Sequence, residues 1–209
     1  MSILVLTSDT LSSPAAAGQI EYTSPIFAAT PIGTQRGIVP TQQYYRLDSN
    51  LAGANSTSAQ NIFGVGVTLS SSTVYEFELS FAFTKSAGTT SNTIGFGFAG
   101  TASLNNILYS CFGVAITSST SGPHIGSVSY GSYAITASNT NTNMQTVNAA
   151  VSWAVLIKGT VSINAGGTFI PQYTLSAAPG GAYSTVAGSF IRIAPIGASG
   201  SAINVGTWA

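Results

Sequence analysis

From Tyr75 to Phe83 every odd position is apolar (Tyr75, Phe77, Leu79, Phe81, Phe83), while Glu76, Glu78, Ser80, Ala82 and Thr84 are polar or small. A period of two places successive side chains on opposite faces of an extended chain, so this run predicts a strand with one face in a core and one in solvent. The pattern returns at Val151, Trp153, Val155 and Ile157 and continues past Gly159 through Val161 and Ile163. No stretch sustains the 3.6-residue apolar spacing of an amphipathic helix. Further strands are expected over 2–7, 26–29, 43–47, 62–69, 93–99, 107–115, 125–133, 168–175 and 188–195, separated by Ser, Thr, Gly and Asn turns. The fold class is therefore all-β, and the favoured form is a jelly-roll-type antiparallel β-sandwich. Strand order is open at this level, because a jelly roll and other Greek-key sandwiches share these local patterns.

Ala165-Gly166-Gly167 is read as a tight hairpin between 160–164 and 168–175, its glycines supplying positive φ. A second turn is expected at Ala178-Pro179-Gly180-Gly181. The segment 8–42 carries Pro14, Pro25, Pro31 and Pro40 and reads as an extended arm or irregular lead-in. This gives an arm over 1–42 and a β-sandwich over 43–209. Residues 137–148 (ASNTNTNMQTVN) read as an exposed loop.

Charge narrows function. Only 5% of the residues are charged, five cations against five anions, where a quarter is usual. The cations Arg36, Arg46, Lys85, Lys158 and Arg192 form no basic stripe, which argues against nucleic acid as a partner. With 44% hydrophobic residues the chain is not of disordered composition. A near-neutral surface promotes association, so an oligomer or a component of a larger assembly is expected. No export signal is read in the opening residues, and the longest apolar stretch, 149–157, falls short of the roughly 20 residues a spanning helix needs; membrane insertion is not expected.

Catalysis finds few titratable groups to use. Glu76 and Glu78 share one strand face about 7 Å apart, a separation that glycoside hydrolysis could exploit; the solvated face of an alternating strand is the favoured reading. His124, in Ser121-Gly122-Pro123-His124, reads as a loop residue, and no G-x-S-x-G elbow accompanies it. Cys111 lies in a strand pattern and reads as inert packing. One His, one Cys and scattered acids offer no metal cluster. Gly95-Phe96-Gly97-Phe98-Ala99-Gly100 matches G-x-G-x-x-G, yet its aromatics alternate with glycine inside a strand and no helix follows. Asn55-Ser56-Thr57 is a sequon read as chance. No catalytic, cofactor-binding or metal-ligating residue is assigned, and no cofactor is expected.

The last third, with Gly159-Thr160-Val161, Gly167-Thr168-Phe169-Ile170-Pro171-Gln172-Tyr173 and Ala187-Gly188-Ser189-Phe190-Ile191-Arg192-Ile193, resembles the closing strands of jelly-roll modules in virion proteins of tailed bacteriophages. The opening Pro14-Ala15-Ala16-Ala17-Gly18-Gln19-Ile20-Glu21-Tyr22 is similar to the Pro/Ala-rich lead-in of fibre-type proteins, although Thr23-Ser24 replaces the usual Asp-Gly. Arg36-Gly37-Ile38-Val39-Pro40 and Pro195-Ile196-Gly197-Ala198-Ser199-Gly200 fit virion proteins of environmental phages, cyanophages among them. The resemblance implies a non-enzymatic virion protein made in a host cytoplasm, a homotrimer contacting other virion proteins such as the major capsid protein. A capsid decoration or cement protein is the favoured expectation. The alternative is a tail-fibre or spike knob that binds host surface glycans through loops 117–124 and 137–148, with Tyr130 or Tyr133 stacking on the sugar. No shaft is read ahead of the similar text, which favours decoration.

Overall fold

The computed structural model describes residues 6–85, 92–116, 125–130, 134–136, 142–144 and 152–208. Among them are seventeen strands and no helix. The first six in chain order are β1 (Gln19–Thr23), β2 (Ile26–Ile32), β3 (Gln35–Val39), β4 (Gln43–Arg46), β5 (Leu51–Ala52) and β6 (Gln60–Asn61). Next come β7 (Val67–Leu69), β8 (Thr73–Lys85), β9 (Ile94–Ala99), β10 (Ser103–Ile116), β11 (Ile125–Tyr130) and β12 (Ala134–Thr136). The last five are β13 (Thr142–Met144), β14 (Ser152–Ala165), β15 (Gly167–Leu175), β16 (Tyr183–Thr185) and β17 (Phe190–Ala198).

The alternation at 75–83 becomes β8, which extends two residues beyond it at each end and buries every odd-numbered side chain from Thr73 to Lys85. β8 lies at the centre of the larger sheet, with β14 on one side and β17 and β16 on the other. β10 flanks β14, and β4 flanks β17. The smaller sheet runs β13, β9, β15, then β6 and β7. Both sheets are antiparallel throughout. The fold class is thus the expected all-β sandwich.

Taking the eight principal segments in order (β4, β7, β8, β9, β10, β14, β15, β17) as 1 to 8, the larger sheet reads 1-8-3-6-5 and the smaller 2-7-4. The ladders 1-8-3-6 and 2-7-4 are those of a jelly roll, whose fifth strand would pair with the fourth. Here β10 leaves the smaller sheet at Gly100 and joins the larger one beside β14, and β13 takes the vacated place beside β9. Gly100 makes this corner at φ +118, with the Thr168 backbone in the space a Cβ would need. No helix follows the glycine-rich run, so its glycines serve a strand and a corner and form no phosphate cradle.

The two inner faces meet in an aromatic core. Phe98 stacks on Phe169 with ring centroids 4.5 Å apart, Phe77 meets Phe98 edge-on at 5.1 Å, and Phe83 tilts onto Tyr173 at 4.7 Å. Such pairs add about 0.5–1.5 kcal/mol each beyond the area they bury. The Tyr109 hydroxyl donates to the Phe96 carbonyl at 3.0 Å, so its burial leaves no unmet donor.

Several expectations change. β14 and β15 do not pair, so Ala165-Gly166-Gly167 is a crossover between sheets and not a hairpin. Glycine is needed there for close approach: a Cβ on Gly167 would lie 2.5 Å from the Ala102 nitrogen, and one on Gly166 3.0 Å from the Leu69 carbonyl oxygen. Of the strand expected over 62–69 only Val67–Leu69 forms, as β7; residues 62–66 are irregular, with Gly64 at φ +71, and β6 ends just before them. Part of the supposed loop 137–148 is strand, since Thr142–Met144 pairs with Ile94–Phe96; the rest of that loop lies outside the described residues. The strand expected over 2–7 falls mainly outside them too, and Leu6 and Thr7 are not in a strand.

The N-terminal region is more ordered than a lead-in. β1, β2 and β3 form an antiparallel meander and pair only with one another. Its prolines sit where strands tolerate them, Pro25 in the β1–β2 turn, Pro31 near the end of β2 and Pro40 just after β3. Residues 6–18 belong to no strand and lie along the meander, with hydrogen bonds from the Asp9 amide to the Tyr22 carbonyl (3.1 Å) and from the Gly18 amide to the Thr30 carbonyl (2.8 Å). An ion pair fastens them. Arg36 binds Glu21 at 2.8 Å and donates to the Ser12 carbonyl at 2.6 Å, while Glu21 accepts the Ser12 amide at 2.7 Å.

Candidate functional site

Because β8, β10, β14, β17 and β4 are in register, their solvent-side residues form rows across the larger sheet. One row runs Phe112, Leu156, Ser80, Phe190, Arg46, the next Ser110, Lys158, Glu78, Arg192, Tyr44, and the third Leu108, Thr160, Glu76, Ala194. Cross-strand neighbours of this kind lie about 4.5–5.5 Å apart at Cβ and interact directly.

The middle row holds the sandwich's main charge cluster. One carboxylate oxygen of Glu78 receives Lys158 at 2.7 Å and Arg192 at 2.9 Å. These two cations, by hydrogen bonding first and charge second, hold the Glu78 carboxyl below its ordinary range. A glycosidase general acid needs the opposite shift, upward, so that it carries a proton at neutral pH. Glu76 and Glu78 do share one face as the alternation requires, but Glu78 is committed to its two cations.

The same economy holds for the whole chain. Arg36 pairs with Glu21, Arg46 with Asp48 at 3.0 Å, and Lys158 and Arg192 with Glu78. The fifth cation, Lys85, points into the sandwich, where its ammonium lies 3.4 Å from the Pro179 carbonyl and 5.2 Å from the Tyr183 ring centroid. Burial pushes its pKa down. Every cation of this chain therefore has a local partner.

On the β10 and β14 side of the charged row apolar side chains stand exposed. Leu108 is 44% exposed, Phe112 42% and Leu156 36%. Leu108 lies in a shallow depression of about 600 Å³, bordered by Glu76, Ser110, Lys158, Gly159 and Thr160. On the solvent face Leu108 stands opposite Thr160 and two residues from Ser110, both small, so little bulk rises beside it.

A second concavity, of about 390 Å³, opens between the sheets at the β4 and β7 side, where both strands are edges. Tyr45, Gln43, Ile191 and Ile193 line it from the larger sheet, and Val67 and Thr68 from the smaller. None of its lining residues is charged. Tyr45 is braced edge-on by Phe63 with centroids 6.3 Å apart, which fixes its ring at the mouth.

The remaining sequence candidates are dispersed. Cys111 is 2% exposed in the core, and burial pushes its thiol up to about 12, far from the thiolate a nucleophile requires. The Asn55 side-chain carbonyl accepts the Gly180 amide at 3.0 Å and so ties two loops together. His124, Tyr133 and loop 117–124 lie outside the described residues, and Tyr130 ends β11. No group of three metal-ligating side chains occurs among the described residues. Sequence reading passed over Lys158 and Arg192 as partners of Glu78, since they are distant in the chain. It also passed over Leu108 and Leu156, although both are apolar residues on the solvent phase of an alternating strand.

Compared with models of protein families, with curated proteins and with solved structures, the chain matches none.

Proposed function

We propose that this chain is a non-enzymatic structural protein on the surface of a bacteriophage particle, a trimeric decoration or cement protein of the capsid. The observation that carries this reading is a sandwich whose few cations are taken up by local partners while apolar side chains stand exposed on a sheet face. A surface of this kind gains from lasting contact with copies of itself and with a shell, because association removes apolar area and leaves no cation stripped of its partner. The resemblance of the closing strands and of the lead-in to phage virion proteins supplies the biological setting. The downward-shifted, doubly paired Glu78 and the buried Cys111 speak against catalysis at those positions.

A second reading, a tail-fibre or spike knob binding host surface glycans, is favoured by one observation. The uncharged cleft at the β4 and β7 edges offers an aromatic ring, an amide and a hydroxyl from Tyr45, Gln43 and Thr68, a set suited to an uncharged sugar. Particle imaging separates the two. Density for the chain across the head lattice supports decoration, density confined to the tail tip supports the knob, and absence from purified particles overturns both.

A further inference from the structure

Among the described residues β1 pairs with β2 along one edge and with no other strand. Its other edge is covered by residues that form no strand of their own. These run antiparallel beside β1: the Ser24 amide donates to the Ser8 hydroxyl at 2.8 Å, the Asp9 amide donates to the Tyr22 carbonyl at 3.1 Å, and Ser12 meets Gln19 and Glu21. Apolar burial does little to hold them. Residues 6–10, 13, 14 and 16–18 are exposed, and Leu11, Ser12 and Ala15 are only half-buried. A sheet edge must be paired, covered or blunted to stay single, and this one is covered by a segment kept in place chiefly by polar contacts.

Those contacts converge on Ser12. Its amide donates to one Glu21 carboxylate oxygen at 2.7 Å, while its carbonyl and hydroxyl receive the Arg36 guanidinium at 2.6 and 3.2 Å. Arg36 closes the cluster by binding the other Glu21 oxygen at 2.8 Å. The two side chains come from the outer strands β1 and β3, and they are 17% and 14% exposed, better shielded than an ordinary surface pair. Beyond Ser12 the chain turns back at Gly18, whose φ is +87 and whose amide donates to the Thr30 carbonyl of β2 at 2.8 Å.

We propose that residues 8–16 are a releasable strap over the free edge of β1, locked at Ser12 by the charge of Glu21 and hinged at Gly18. The strap depends on that charge and the meander does not. Hydrogen bonds to an ionised group are roughly twice as strong as neutral ones, so a proton on Glu21 weakens its bonds to both Ser12 and Arg36. What remains are the contacts of Ser8, Asp9 and Ala16, all exposed residues where water competes for the same groups. The β1–β2 and β2–β3 ladders use no residue of the strap and stay intact. The Ser12 amide and hydroxyl, and after them the Arg36 charge, hold the Glu21 carboxyl below its ordinary range. The lock is therefore closed at neutral pH and opens only in solution more acid than about pH 4.5. The other ionisable groups near it are Asp9 on the strap and the Tyr22 phenol on β1. From β2, Ala28 stands opposite Glu21, and residues 199–208, which pass the Arg36 carbonyl at Gly206, carry no ionisable side chain. Release bares the Tyr22 carbonyl and with it an edge able to accept another strand. The strap is thus a guard on a pairing edge, whatever particle or partner the chain belongs to.

Amide hydrogen exchange on the full chain tests this. The readout is protection of the residue-9 amide, whose acceptor, the Tyr22 carbonyl, none of the variants alters. The Gly18 amide, bonded to β2, reports whether the meander is folded. Glu21→Gln, which imitates the protonated carboxyl, and Arg36→Met are each expected to lower residue-9 protection by about tenfold or more, with Gly18 protection held within about twofold. Asp9→Asn, which removes a charge outside the lock, is expected to change neither. In the parent, residue-9 protection should fall as the pH drops below about 4.5, ahead of Gly18, whereas in Glu21→Gln it is low throughout. An unprotected residue-9 amide in the parent at neutral pH overturns the proposal. So does unchanged protection in either lock variant, an equal loss in Asp9→Asn, or loss at Gly18 together with residue 9. If a variant melts well below the parent, the acid series on the parent alone decides, by whether residue 9 opens before Gly18.

Discussion

At the scale of single residues, Glu78 carries the clearest electrostatic consequence. Its carboxyl lies below the ordinary range because Lys158 and Arg192 donate to it. A carboxyl whose folded pKa is depressed contributes stability above its unfolded pKa and loses that contribution as the pH falls through the folded value. Here the contribution is present above about pH 4.5 and fades in more acid solution. Glu78→Gln is expected to lower stability by about 1 kcal/mol at pH 7, two partly exposed pairs being worth little individually. In strong acid, where the parent carboxyl is protonated, the two proteins should melt alike. Thermal unfolding across pH checks this, and a constant gap between variant and parent down to the most acid pH would show that packing and not charge is responsible. Residue types alone marked Glu78 as solvent-facing. The two cations beside it come from strands far along the chain and meet it only through the β14–β8–β17 register.

At the scale of elements, the corner between β9 and β10 departs from the jelly-roll pattern, and a single residue governs it. Gly100 has φ +118 and faces the Thr168 backbone where a Cβ would stand. Gly100→Ala combines a backbone conformation that L-residues avoid with a contact that flexible atoms cannot relieve. The expected cost is about 2 kcal/mol or more. Chemical denaturation measures it, and a loss below ~0.5 kcal/mol would show that the corner can relax. Gly188 is a useful control, for its φ is also positive at +91 but its nearest neighbour is a terminal Arg46 nitrogen at 3.8 Å, so alanine there should cost only the conformational part. Strands whose alternation is strong, β8 and β14, were legible in the sequence to within a few residues. β13 was not, because Thr142-Asn143-Met144 has no alternation of its own and becomes a strand by pairing with β9.

At the scale of the whole molecule, the proposed assembly of a chain with so few charges, most of them paired internally, should be indifferent to salt. Screening weakens contacts between exposed charges over a Debye length of about 10 Å at 0.1 M and about 3 Å at 1 M. A contact made through exposed apolar side chains such as Leu108, Phe112 and Leu156 has little for salt to screen. The oligomer mass should therefore stay constant from about 0.1 M to about 1 M salt in sedimentation experiments. Dissociation at the higher salt would show that ion pairs between copies hold the assembly, contrary to the pairing within each copy.

The sequence by itself determined the class of fold, since alternating side chains can bury one face only by stacking sheets, and it determined the neutrality of the surface, which is a matter of counting. It also marked the inner residues of the core, because phase along a strand assigns each side chain to a face. The tertiary structure alone decided which strands are neighbours. Local pattern is identical whether β15 folds back on β14 or crosses to the opposite sheet, and the choice depends on backbone approach at Gly166, Gly167 and Gly100, which nothing local specifies. From that choice follow the register that gathers Lys158, Glu78 and Arg192 into one row and the depression beside Leu108. The N-terminal meander likewise follows from pairing among β1, β2 and β3, in a segment whose prolines point to an irregular lead-in.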